Sequence, residues 1–160
     1  MDFFSKKNRI LLKELIKTDF KLRYQGSLVG YLWSILKPLM MFTIMYLVFV
    51  RFLRFDDGTP HYTVGLLLGM VFWSFFTEAT NMGMLSIVSR GDLLRKLNFP
   101  KHTIVFSSVL GAAINFLINL VVVFLFALIN QVEFGLHTLM IIPLFLEVLV
   151  LAMGLSLIHI

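Results

Sequence analysis

The segment Asp19–Pro38, DFKLRYQGSLVGYLWSILKP, joins a basic amphipathic stretch to a long apolar one with almost no linker between them. If residues 10–23 form a helix, apolar side chains occupy one half of its surface and lysines dominate the other half. This pattern is typical of a helix that lies in the headgroup plane of a membrane. The apolar stretch that follows predicts entry into the bilayer, so the segment indicates a membrane protein.

The composition points to the same class of protein. Of the 160 residues, 59% are hydrophobic and only 14% are charged, whereas about a quarter of a soluble domain is charged. The apolar residues form long blocks, which is not the pattern of a soluble core. The net charge of +5 comes from cations beside these blocks, which favours lipid headgroups over nucleic acid as a partner. Cysteine is absent, which excludes disulfides and thiolate metal sites.

Four apolar blocks have the length of about 20 residues that a bilayer crossing needs. They lie near residues 31–50, 62–81, 103–129 and 139–158. The uncharged part of the first block, Leu39–Val50, would form only about 18 Å of helix. Lys37 and Pro38 must therefore lie inside the first span or at its edge.

The distribution of lysine and arginine predicts the orientation of the spans. Residues 1–27 contain seven of these cations and the loop over residues 82–102 contains four, against two after the first span and none over residues 130–138. Both cation-rich regions are therefore predicted to be cytoplasmic. The expected architecture is all-α, with a cytoplasmic region over residues 1–27 that holds the amphipathic helix, and a transmembrane domain over residues 28–160.

Polar residues inside the spans are functional candidates, because each charge at bilayer depth costs a few kcal/mol. Lys37 either extends to the cytoplasmic headgroups or lines an aqueous path, and Glu78 has either an interfacial or a functional role. Glu147 lies in the middle of the fourth span and is a candidate for substrate contact. Asn115 and Asn119 are expected to form interhelical hydrogen bonds, with substrate contact as the alternative.

Small and aromatic residues suggest further contacts within the first two spans. Gly65 and Gly69 form a small-xxx-small pattern, which predicts the close approach of another helix. The aromatic candidates for a channel or substrate contact are Tyr31, Trp33, Phe72 and Trp73. Lipid, helix packing and sugar rings are all possible partners for these side chains.

No catalytic motif is visible in the sequence. It lacks a Walker phosphate-binding loop, a His-Glu-x-x-His motif and a Gly-x-Ser-x-Gly motif. Asp56 and Asp57 predict a solvated turn and not a metal site, because no third carboxylate is near them in the sequence. We therefore expect no catalytic residue, no metal and no cofactor in this chain. A membrane-embedded enzyme acting on lipid-linked sugars, with Glu78 or Glu147 as general base, is the weaker alternative.

Two segments together resemble a known family. Asp19-Phe20-Lys21-x-Arg23-Tyr24, followed by Ser27, Gly30, Trp33 and Pro38, is similar to the opening signature of ABC-2 type permeases that export O-antigen, capsule or teichoic acid. The segment Leu94-Arg95-Lys96-Leu97-Asn98-Phe99-Pro100-Lys101 resembles their cytoplasmic coupling segment. The two segments occur in the family's order, with one hairpin of spans between them.

The resemblance implies a permease subunit that moves lipid-linked polysaccharide across the bacterial inner membrane. Export of drugs or small lipids is the alternative within the same superfamily. Two permease copies would pair with two separate cytoplasmic ATPase subunits, which would bind the ATP and Mg. The family has six spans, so the resemblance also implies that this chain is truncated within its fourth span.

The resemblance also assigns roles to individual residues. Asp19, Phe20, Arg23 and Tyr24 would belong to an interface helix on the membrane surface. The coupling helix that enters the ATPase cleft would include Leu94, Arg95, Lys96, Asn98, Phe99 and Pro100.

Overall fold

A computed structural model describes residues 10, 12–18, 21, 28–53, 58, 60–89, 91 and 101–158. Within these ranges every regular element is a helix, which confirms the all-α prediction. Helix α1 is Leu28–Tyr46 and continues as a π-helical segment over Leu47–Phe52; α2 is Tyr62–Ser89 and α3 is Lys101–Ile129. A 3-10 segment over Leu136–Met140 leads into α4, Ile141–Ile158.

In the described part of the chain, four segments are long and apolar enough to cross a membrane, as predicted. They are Ile35–Phe52, Tyr62–Ser89, His102–Ile129 and Leu136–Ile158. Helices α2 and α3, with 28 and 29 residues, are each about 42 Å long. They therefore exceed the hydrocarbon core of a bilayer, which is about 30 Å thick.

The first span contains both Lys37 and Pro38, as the length argument required. Proline interrupts the backbone hydrogen bonds of a helix, but such an interruption is tolerated in a membrane where other groups satisfy the freed carbonyls. Towards the N-terminus, residues 12–18 are helical, and Leu15 and Ile16 are half-buried while Lys13 and Lys17 are exposed. This exposure pattern agrees with the amphipathic helix predicted there.

Helices α2 and α3 form the centre of the fold. The buried side chains recur every three or four residues on both helices: Leu67, Val71, Phe75 and Ala79 on α2, and Val105, Val109, Ala112 and Phe116 on α3. Helix α4 packs on this pair, since the ring of Phe145 stacks on that of Phe116 with the centroids 5.0 Å apart. Helix α1 contacts α3 where Phe42 meets Phe126 edge to face, with a centroid distance of 5.5 Å.

Helix α4 approaches α2 closely at Gly83. A Cβ atom added to Gly83 would lie 2.6 Å from Cβ of Ser156, well inside the usual separation of nonbonded carbon atoms. Gly65 and Gly69 differ, because an added Cβ on either would have no described atom within 4 Å. The close contact predicted for those two glycines is therefore wrong within this chain, and Gly83 makes it instead.

Helix α3 ends in a Schellman motif. Gln131 adopts φ 55°, its amide donates to the carbonyl of Leu128 at 3.1 Å, and the amide of Val132 donates to the carbonyl of Ala127 at 3.1 Å. These two bonds are the ones that define the motif, in which glycine usually occupies the left-handed position. The carbonyls of Ala127 and Leu128 are thereby satisfied before the chain turns towards α4.

A polar cavity between three helices

A cavity of about 640 Å³ lies between α1, α2 and α3. Its lining consists of Trp33, Lys37, Pro38 and Met41 from α1; Val71, Trp73, Ser74, Phe75, Thr77, Glu78 and Asn81 from α2; and Asn115, Phe116 and Asn119 from α3. Amide, hydroxyl and charged groups thus meet two indole rings within a bundle of otherwise apolar helices. The sequence-predicted candidates Trp33 and Trp73 are brought together here.

The helical period explains why these polar groups meet. Residues three or four positions apart lie on one face of a helix. Ser74, Glu78 and Asn81 follow this spacing on α2, and Asn115 and Asn119 follow it on α3. The sequence analysis did not identify Ser74 and Asn81 as site residues. Their spacing from Glu78 was the signal, because it places all three on one face of α2.

A hydrogen bond between Glu78 and Asn115 links α2 to α3 at this cavity. The Nδ2 group of Asn115 donates to Oε2 of Glu78 at 2.9 Å, which confirms the interhelical bond expected for Asn115. Asn119 is buried, and its Nδ2 group donates to the backbone carbonyl of Asn115 at 2.9 Å within α3. Hydrogen bonds to a carboxylate are stronger than those between neutral groups, so this bond favours one packing of the two helices.

The Glu78–Asn115 bond lies near the middle of both helices. Asn115 is the midpoint of α3, and Glu78 is about 16 Å before the end of α2 at Ser89. Helix α2 continues about two turns beyond the predicted end of the span at residue 81, so Glu78 lies further from the end of its helix than the sequence indicated. Ionisable residues at this depth face the protein interior or a water-filled cavity, and they commonly mark functional sites.

Lys37 and the two tryptophans add a cation and aromatic surface to the same cavity. The side chain of Lys37 is exposed and lines the cavity. Trp33 is 54% exposed and Trp73 is 67% exposed, so their ring faces are available to a ligand. Flat apolar ring faces beside amides and a carboxylate suit ligands that combine apolar surfaces with hydroxyl groups, as sugars do.

A second cavity, of about 680 Å³, adjoins the first. The two share Met41, Trp73 and Ser74, and the second extends along α1 and α2 to Pro60 and Tyr62. Together they form a concave surface from the middle of α2 to its first turn. Trp73 lies where the two cavities meet.

Other candidates from the sequence lie elsewhere. Phe72 is buried, and its ring packs against that of Phe116 at a centroid distance of 4.9 Å. Glu147 is exposed on α4 and does not line either cavity. Tyr31 belongs to α1, but its side chain lies outside the described residues, as do the interface candidates Asp19, Phe20, Arg23 and Tyr24 and the coupling candidates Leu94, Arg95, Lys96, Asn98, Phe99 and Pro100.

Long apolar helices around a polar cavity at mid-span define a multi-pass membrane protein with the features of a transporter subunit. Comparison with known protein families identifies which one. The chain belongs to the ABC-2 type transporter family, whose model matches residues 10–160. This is the family that the sequence resembled.

Curated relatives carry a more specific name. The chain is 35% identical over 118 residues to an O-antigen export system permease protein RfbA of Klebsiella pneumoniae, a match that covers 72% of this chain and 45% of that protein. It is 31% identical over 112 residues to the protein of the same name from Myxococcus xanthus, which covers 70% of this chain and 42% of that protein. The chain thus spans less than half the length of these relatives.

Proposed function

We propose that this chain acts as the permease subunit of an ABC exporter that moves lipid-linked polysaccharide across the bacterial inner membrane. The observation that carries the proposal is the similarity to O-antigen export permeases over 72% of the chain. Membership of the ABC-2 type transporter family supports the transport role. The polar, tryptophan-lined cavity supports a substrate that is rich in hydroxyl groups.

In this proposal the subunit works as part of a larger assembly. Two permease copies pair with two cytoplasmic ATPase subunits, and ATP and Mg bind to those subunits. The excess of lysine and arginine over residues 1–27 and 82–102 supports a cytoplasmic N-terminus. Residues Leu94–Pro100 are the proposed contact with the ATPase, and the segment around Asp19–Tyr24 is proposed to lie on the membrane surface.

The two adjoining cavities provide a proposed route for part of the glycan. Trp33 and Trp73 offer ring faces along it, and Glu78 with Asn115 and Asn119 offers hydrogen-bonding groups at mid-span. A second copy or a neighbouring helix would complete the wall of this route.

Co-purification with the ATPase tests the subunit assignment. We expect the chain to co-purify with the ATP-binding subunit of its transporter, and the double substitution Lys96→Ala with Phe99→Ala to abolish that association. Lys13→Ala is the matched control, because Lys13 is an exposed lysine that does not belong to the coupling segment. If the double variant co-purifies as well as the wild type, the proposed contact is incorrect.

The bound lipid distinguishes polysaccharide export from the alternative of drug or small-lipid export. Extraction of the purified transporter complex and mass spectrometry should recover a lipid-linked glycan. Recovery of phospholipids alone, together with ATPase stimulation by small amphipathic drugs, would favour the alternative.

A further inference from the structure

The outward side of α4 carries a regular row of exposed residues. The row, named the α4 seam here, consists of Pro143, Glu147, Val150, Gly154 and Leu157, which are all exposed. The seam lies opposite the buried residues Ala152 and Ser156, which face α2. Its alternating spacing of four and three residues is the spacing with which one helix packs along another.

Because of Glu147, contact with lipid alone is unfavourable for this face of α4. It lies at the centre of the apolar segment Leu136–Ile158, and its side chain is exposed. Within the part of the chain that the structure describes, no hydrogen bond or ion pair reaches its carboxylate. A charge at the centre of a membrane helix is costly, and such residues pair with other polar groups.

Gly154 provides space for close contact two turns away from Glu147. A Cβ atom added there would have nothing within 4 Å, so the seam has a notch at this position. Between the two lies Val150, which is 63% exposed. Small residues beside a hydrogen-bonding residue are the features that hold helices together in membranes, where apolar surface by itself gives little preference over lipid.

We propose that the α4 seam docks a further membrane-spanning helix, and that this helix presents a hydrogen-bond donor, an amide or a cation, to Glu147. The occupant must carry such a donor because the Glu147 carboxylate is a hydrogen-bond acceptor. A second copy of α4 does not meet this need, because two seams facing each other would bring two Glu147 carboxylates together. The curated relatives carry more than half of their length outside the matched region, so proteins of this type have polypeptide from which such a helix can come.

The proposal can be tested with the purified chain in lipid vesicles and two synthetic transmembrane peptides of leucine and alanine. One peptide has a single central asparagine and the other has leucine at that position. Energy transfer between labelled peptide and labelled protein measures their association. We expect the asparagine peptide to bind about three- to tenfold more tightly, since one interhelical hydrogen bond in a membrane is worth roughly 0.6–1.5 kcal/mol.

Three substitutions identify the surface that binds the peptide. Glu147→Leu should remove the preference for asparagine, whereas Glu147→Gln should retain it because the amide still accepts a hydrogen bond. Gly154→Leu should weaken the binding of both peptides, because the leucine side chain fills the notch. Ile142→Phe is the control, since it adds bulk to an exposed residue that is not three or four positions from any residue of the seam, and it should change neither affinity.

Three results would overturn the proposal. The first is equal binding of the two peptides to the wild-type chain, and the second is an asparagine preference that survives Glu147→Leu. The third is an efficient disulfide between two copies of the Val150→Cys variant, which would make a second copy the occupant. The chain contains no cysteine, so such a crosslink would have a single origin. None of these results depends on whether the transporter carries polysaccharide.

Discussion

Replacing Gly83 by alanine should weaken the packing of α4 against α2. The added methyl group would lie 2.6 Å from Cβ of Ser156, whereas nonbonded carbon atoms pack at about 3.5–4.0 Å. The two helices must therefore separate by about 1 Å at this point, or Ser156 must leave its position. Overpacking of this size costs about 1–3 kcal/mol, so we expect the free energy of unfolding to fall by that amount.

Unfolding by sodium dodecyl sulfate in mixed micelles, followed by far-ultraviolet circular dichroism, measures this change. Gly69→Ala is the matched control, because it adds the same methyl group to the same helix where no described atom lies within 4 Å. The control should be neutral or slightly stabilising, since alanine favours a helix over glycine by up to about 1 kcal/mol.

The steric explanation also predicts a rescue. Ser156→Gly removes the atoms that collide with the new methyl group, and the next neighbour of that group is then Cγ2 of Val109 at 3.4 Å, an ordinary contact distance. Gly83→Ala combined with Ser156→Gly should therefore lose less stability than the two single changes added together. Ser156→Ala should not rescue, because it keeps the colliding Cβ. The reasoning is refuted if Gly83→Ala unfolds at the same detergent fraction as Gly69→Ala, or if Ser156→Gly brings no recovery.

Three further outcomes are expected. Asn115→Leu should lower the free energy of unfolding by about 1–3 kcal/mol, because Glu78 loses a hydrogen-bond donor. Adding Glu78→Leu should recover most of that loss in the same detergent titration. An unchanged loss in the double variant would contradict this explanation. Gln131→Gly should raise stability by about 1 kcal/mol, since glycine relieves the left-handed backbone conformation at the end of α3, whereas Gln131→Ala should give no gain. Trp33→Ala and Trp73→Ala should reduce glycan export, assayed by surface immunoblotting. The free energy of unfolding should stay unchanged, because both rings are largely exposed. Export at the wild-type rate would show that these rings do not contact the glycan.

The cavity shows which features of the site the sequence predicts and which it does not. The pairs Trp33 with Lys37 and Asn115 with Asn119 are each four residues apart, so the helical period predicts that each pair shares a face. The period does not predict which face of one helix contacts which face of the next. The bond from Asn115 to Glu78 exists because α3 packs beside α2 in one rotation, and that rotation follows from the fit of buried side chains along both helices.

The residues that sequence reasoning misplaced have a common cause. Gly65 and Gly69 form the more recognisable small-residue pattern, yet α4 approaches α2 at Gly83. Phe72 was a candidate for channel contact or for helix packing, and it is buried against Phe116. In a membrane helix apolar residues occur all round the surface, so hydrophobicity does not distinguish the side that faces another helix from the side that faces lipid.

The sequence by itself determined the class of protein, the four apolar helices, the presence of Lys37 inside the first span and the family to which the chain belongs. These properties depend on the length and composition of contiguous segments, and a bilayer imposes them on each helix separately. Only the tertiary structure decided that Glu78 meets Asn115 at mid-span, that Trp33 and Trp73 line one cavity, and that Glu147 points away from it. Those outcomes depend on how each helix is rotated against its neighbours, and close packing between distant parts of the chain sets that rotation.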